Sequence, residues 1–136
     1  MSNITDINSY PTIGQLERTI SQQVRSLYRS QFGHQPSKVD CHLLGNKIVI
    51  SVDDVITPIE KLLFEGKSSG LSIQVRAFID ETIKPKLRKL IEDISQVNVV
   101  SCFYDTAVET GCAGAIFILA SPPQVRPRTK SKFKQV

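Results

Sequence analysis

The chain has 136 residues, with 40% apolar and 22% charged side chains, a composition that fits one globular domain and excludes a disordered chain. The formal net charge of +4 is carried at one end. Ser121 to Val136 holds five cations and no acid (Arg126, Arg128, Lys130, Lys132 and Lys134), which leaves the first 120 residues near −1.

The apolar run Cys112 to Ala120 has about half the length that a bilayer-spanning helix needs. Met1 to Pro11 is polar and reads as a loose leader without the basic start and apolar stretch of a secretory signal. The cysteines Cys41, Cys102 and Cys112 are odd in number and lack CxxC spacing, so a reducing, cytoplasmic setting is expected.

In chain order, Thr12-Ile13-Gly14-Gln15 has the form of a capping box. Ile13, Leu16, Ile20, Val24, Leu27 and Phe32 follow at helical spacing, and Gly33 and Pro36 stop the run, which predicts a helix over 13–32. Lys38 to Leu44 alternates, Gly45-Asn46 marks a tight turn, and Lys47 to Val52 resumes as a β-branched run, which predicts a hairpin. Thr57-Pro58-Ile59-Glu60 opens a short helix that Gly66 ends. A longer helix runs from Leu71 towards Ile94, with Pro85 expected to kink it or split it in two. Val97 to Tyr104 and Cys112 to Leu119 read as a second hairpin joined by a loop over Asp105 to Gly111.

The resulting order, α-ββ-α-α-ββ, predicts an α+β two-layer sandwich: a four-stranded antiparallel sheet with helices on one face. The domain is expected over 12–120, preceded by the leader 1–11 and followed by a basic, proline-containing tail over 121–136. Val49, Val100, Cys102 and Tyr104 are expected on the uncovered face, an apolar surface that predicts homodimerisation through the sheet or one of its edges.

The order of motifs resembles the MpsC-like family, small domains named after a component of a sodium-translocating, membrane-potential-generating system. The resemblance rests on Ile13-Gly14-Gln15-Leu16-Glu17, Gly33 with Pro36, Val55 to Leu63 around Thr57-Pro58-Ile59-Glu60, Arg76 and Glu81, Pro85 with Leu87, Tyr104-Asp105, Thr110-Gly111, and Phe117 with Leu119. It covers about residues 13–119 and departs at Ser37-Lys38 and at Cys112-Ala113. It implies a cytoplasmic accessory or regulatory protein with no established catalytic residues; the residues themselves offer no metal cage, nucleophile triad or phosphate loop, so neither an enzyme nor a cofactor or metal is expected. It implies an accessory role near a sodium/bicarbonate-type transport system, and the adaptor reading adds a partner protein of unspecified identity.

Several residue groups carry alternative readings. Thr57 and Glu60 are explained by helix capping alone. Asp53-Asp54 lacks a third ligand for a cation, and acids near a helix start are favoured by its dipole. His34 and His42 have no zinc-ligand spacing and are expected at the surface. Cys102 and Cys112 are placed as diagonal neighbours on paired strands, which allows a redox pair or simply small packed residues. Arg76, Asp80, Lys84, Arg88, Lys89, Glu92 and Asp93 mark a solvated helix face, unless Arg76 is buried.

The polar segment Tyr104, Asp105, Thr106, Glu109, Thr110 and Gly111 is the candidate partner-binding site, against a plain connector. For the tail Arg126, Arg128, Lys130, Lys132 and Lys134, the candidates are an acidic surface, either nucleic acid or an anionic membrane. Five phosphate contacts would give a log–log salt slope of about −4.5. The rival to the adaptor reading is therefore a nucleic-acid-binding regulator that uses this tail.

Overall fold

The computed structural model describes residues 9–66 and 69–127. Helix α1 spans Ile13–Phe32. Its capping box is formed: the Gln15 amide donates to Thr12 Oγ1, and the Thr12 amide donates to Gln15 Oε1. Gly33 ends it in the left-handed region at φ 66°, with its amide returned to the Arg29 carbonyl. The buried stripe is Leu16, Ile20, Val24 and Tyr28, a spacing of four that runs the length of the helix.

Strands β1 (Lys38–Leu44) and β2 (Lys47–Asp53) form the expected hairpin around Gly45-Asn46. Helix α2 covers Pro58–Glu65 and α3 covers Ser69–Ser95. Pro85 lies inside α3, which remains a single element from end to end. The exposed position of Pro85 lets its ring face solvent.

Strands β3 (Val99–Ala107) and β4 (Cys112–Leu119) complete one antiparallel sheet of order β1-β2-β4-β3. The two hairpins thus join through β2 and β4. α1 packs on β1, α3 packs on β3, and the two helices meet, so one face of the sheet is covered. The core between them holds Val39, Cys41, Ile48, Ile50 and Val52 from the first hairpin, and Ala113, Ala115, Phe117 and Leu119 from the second. Ile20, Val24, Ile83, Leu87 and Ile91 close it from the helical side.

Strand β3 departs from the expectation in two ways. It continues to Ala107, so the connection to β4 is only Val108 to Gly111 and not the whole of 105–111. It also carries a register shift between Val99 and Ser101. One extra residue in a strand sends every later side chain to the opposite face. Cys102 and Tyr104 therefore pair with Phe117 and Ala115 on the helix-covered face, and Ser101, Phe103 and Asp105 take the open one. The expected uncovered set of Val49, Val100, Cys102 and Tyr104 is corrected accordingly. Val49 belongs to the open face, Val100 is exposed within the bulge, and Phe103 and Ile116 supply its large apolar side chains.

The same shift separates the two thiols. Cys112 pairs with Ala107 and Cys102 with Phe117, five residues apart along β4 and on opposite faces of the sheet. All three cysteines are free thiols. Burial pushes the Cys41 thiol up to about 12, which leaves it protonated and inert at neutral pH.

Residues 121–127 lie against the body. The Arg126 amide donates to the Pro11 carbonyl at 2.8 Å, Pro123 is buried, and Val125 packs on the core. Arg128, Lys130, Lys132 and Lys134 lie outside the described residues.

Candidate functional site

The N-terminus of α2 is built by residues that cap a helix in any context. Thr57 precedes it, Pro58 takes its first position, and Glu60 reaches back to the Thr57 amide at 2.9 Å. Here that carboxylate has a second duty. Glu60 is only 1% exposed, and it faces Arg76 from α3, which is 6% exposed.

Arg76 Nε donates to Glu60 Oε1 at 2.8 Å, and Nη2 donates to Oε2 at 2.7 Å, a bidentate pair. Nη2 also donates to the Val55 carbonyl, and Nη1 donates to Asp80 Oδ1 at 3.2 Å. The Thr57 hydroxyl donates to Glu60 Oε2 at 2.7 Å. Thr106 of β3 donates to Asp80 Oδ1 at 3.0 Å. Beside them, the hydroxyls of Tyr28 on α1 and Tyr104 on β3 are 2.8 Å apart. One polar cluster therefore ties α1, α2, α3 and β3 to the loop before α2.

The charges are held where the cluster needs them. Burial pushes the Glu60 carboxyl up, but hydrogen bonds from Arg76 and Thr57 and the charge of Arg76 outweigh it and hold it below the usual carboxylate range. Burial lowers Arg76, and Glu60 and Asp80 reverse the sign, so the guanidinium is still harder to deprotonate than in water. Burial pushes both tyrosines up, Tyr28 most strongly, so neither ionises at neutral pH. Chemically this is a locked arrangement: a paired cation, two occupied carboxylates and two neutral hydroxyls.

The cluster continues to the surface. The Val55 carbonyl accepts from Arg76 while its amide donates to the Gly111 carbonyl at 2.9 Å. Gly111 sits at φ 71°, a conformation that disfavours a side chain, and closes the β3–β4 turn with its amide on the Ala107 carbonyl.

The expected partner-binding residues accordingly divide. Tyr104 and Thr106 point inward and join the buried cluster. Asp105 is exposed on the open face, where its carboxylate accepts from the Thr106 amide. Glu109 and Thr110 are exposed at the turn, and Gly111 anchors it. Arg126 is half-buried beside the start of α1 and does not act as a free tail cation.

Of the other residues considered, Asp53 ends β2 opposite Lys38, and Asp54 turns the chain at φ 63° with its carbonyl 2.8 Å from His34 Nε2. They terminate a strand and do not border the helix start. His42 is exposed on β1. Among the described residues, no group of three or more His, Cys, Asp or Glu side chains is placed to hold a metal ion.

Sequence reading passed over Tyr28, although it continues the four-residue spacing Leu16-Ile20-Val24. It also left Arg76 conditional. The signal for Arg76 was its place with Thr57, Glu60 and Tyr104 in one ordered set of motifs, and these are residues that the fold brings together.

Among the described residues, no helix is long and apolar enough to cross a membrane. No curated protein and no solved structure matches the chain. The family model described as MpsC, Na+-translocating membrane potential-generating system, matches residues 12–121. That match takes in all seven helices and strands and every member of the buried cluster, and the chain belongs to the MpsC family.

Proposed function

We propose that this protein is a non-enzymatic, cytoplasmic accessory module that acts by binding another protein, as a homodimer, in the service of a sodium-translocating membrane system. The observation that carries this reading is the amount of apolar side chain left exposed around a locked polar interior. Ile59, Leu62 and Phe64 of α2 and Leu71, Ile73 and Phe78 of α3 are all exposed, as are Phe103 and Ile116 on the open sheet face. Contiguous apolar patches beyond a few hundred Å² mark interaction surfaces. The family description supplies the setting.

In this reading the exposed rim of Glu109 and Thr110, at the turn beyond the sheet face, contacts the partner protein, Asp105 belongs to the face through which the two copies meet, and Gly111 fixes the rim to the Val55 segment. Tyr104 and Thr106 hold β3 in place from below. Arg128, Lys130, Lys132 and Lys134 add electrostatic attachment to an acidic surface, an effect that fades as salt rises.

The test is capture of membrane-system components by the full chain from native extract. A captured component should be lost with the paired variant Glu109→Lys/Thr110→Lys at unchanged thermal stability and unchanged dimerisation. Capture that ignores this variant, or retention of nucleic acid that survives neutralising the three tail lysines, would refute the adaptor reading.

A further inference from the structure

The open sheet face can be laid out residue by residue from the strand register. Four rows cross it: Lys38, Asp53, Cys112, Ala107; then Asp40, Ser51, Gly114, Asp105; then His42, Val49, Ile116, Phe103; then Leu44, Lys47, Ile118, Ser101. A shallow groove of about 350 Å³ with almost wholly apolar walls lies across the middle rows, between Val49, Phe103, Gly114 and Ile116. Phe103 is 58% exposed and Ile116 41% exposed, and both flank the bare backbone at Gly114.

The edges of this sheet are closed to strand addition in part. On β1, the outward amide of Leu43 donates to Glu17 Oε2 at 2.8 Å. On β3, the Val99 amide donates to Glu92 Oε2, and the Val99 carbonyl accepts from Arg88 Nη2 beside the bulge. Occupied edge groups and a bulge discourage edge pairing. The face, not an edge, is what remains.

We propose that this face binds a second copy of itself about a two-fold axis that runs across the strands at the level of Cys41, Ile50, Ala115 and Tyr104. This rests on the homodimer reading above and deepens it. Such an axis exchanges the two middle rows and the two outer rows. Ile116 then seats over the partner's Gly114, a projection into a dent. Lys47 faces the partner's Asp53, and Asp40 faces the partner's His42. The other in-plane axis, along the strands, fails on charge: it stacks Asp40 on the partner's Asp105 and sets Lys47 against Ile118. The crosswise axis also sets Asp105 over the partner's Phe103, but it opposes no two like charges, so charge pairing selects it. Four strands and seven residues give a face of about 19 by 23 Å, so the two copies cover roughly 900 Å² together. That is a small interface, at the low end of what transient contacts bury, so the dimer is a weak one.

The test is sedimentation equilibrium of the full chain and three variants. Gly114→Arg is the most informative, because a Cβ there meets nothing closer than the Ile50 carbonyl at 4.0 Å and Gly114 is exposed on the open face, so the backbone admits a side chain that extends outward. It is expected to weaken dimerisation by about ten-fold or more with no loss in melting temperature. Lys47→Glu and Asp53→Lys should each weaken the dimer, and the double swap should restore it. A wild-type chain that stays monomeric at 200 micromolar would sink the dimer itself and leave the face to a different protein. A dimer that forms but ignores Gly114→Arg and the swap would sink this geometry and leave the dimer standing.

Discussion

At the residue scale the decisive group is Arg76. Its guanidinium is buried and pairs with Glu60, so removing either partner strands an uncompensated charge. Arg76→Ala or Glu60→Gln is expected to cost about 3–5 kcal/mol in urea unfolding. Against a total of about 5–15 kcal/mol, either change leaves a marginal fold. Glu60→Gln/Arg76→Met should cost less than the two single changes summed, because neither charge is then left alone. The pH dependence has a definite sign. Glu60 is held below its ordinary range, so its share of stability is present above the unfolded carboxyl value of about 4.3 and is lost as pH falls. Tyr28 shifts the other way. Burial and then Tyr104 raise it, so its share is complete below the unfolded value of about 10 and is lost as pH rises past it. The urea midpoint of wild type should stay level up to about pH 10 and fall above it, and Tyr28→Phe should blunt that fall. Glu60 was legible in the sequence only as a cap. The local pattern contains its partner Thr57, whereas Arg76 arrives from sixteen residues away through helix packing.

At the element scale, α3 shows how tertiary packing overrides a local rule. A proline inside a helix removes a donor and crowds the carbonyl of the preceding turn, at about 3 kcal/mol. That reasoning predicts a kink near 81–85 or two helices end to end, and α3 is one continuous helix, so the split is overridden. Ile79, Ile83, Leu87 and Ile91 are all buried, so one stripe passes straight through the proline and holds the helix together. Pro85 is exposed, and Pro85→Ala should raise the unfolding free energy by about 1–3 kcal/mol, read by calorimetry. A loss of stability would mean that Pro85 sets the helix geometry. Strand β3 teaches the converse. Its length was underestimated and its facing inverted because the bulge at Val100 leaves no mark in an alternation of apolar and small residues. Only the pairing with β4 decides it.

At the scale of the whole molecule, one sheet face is sealed by helices and the other keeps Phe103, Ile116 and Val49 in view. Such a sheet must avoid uncontrolled pairing at its edges. Glu17 serves that need on β1, reaching from α1 to the Leu43 amide. Glu17→Ala should cost about 1 kcal/mol of stability and, more tellingly, speed aggregation on mild heating. Light scattering of the variant against wild type at matched unfolded fraction checks this. Equal rates would show that the capped edge has no protective role.

Local chemistry by itself determined the elements of this protein. Caps at Thr12 and Thr57, stops at Gly33 and Gly66, the Gly45-Asn46 turn and the periodicities between them specify three helices and two hairpins, because each depends on neighbours within a turn or two of chain. The tertiary structure decided the strand order β1-β2-β4-β3, the side on which Tyr104 and Cys102 lie, and the meeting of Glu60 with Arg76. Those depend on register between distant strands and on which helix face turns inward. A shift of one residue reverses such choices while leaving the local pattern unchanged.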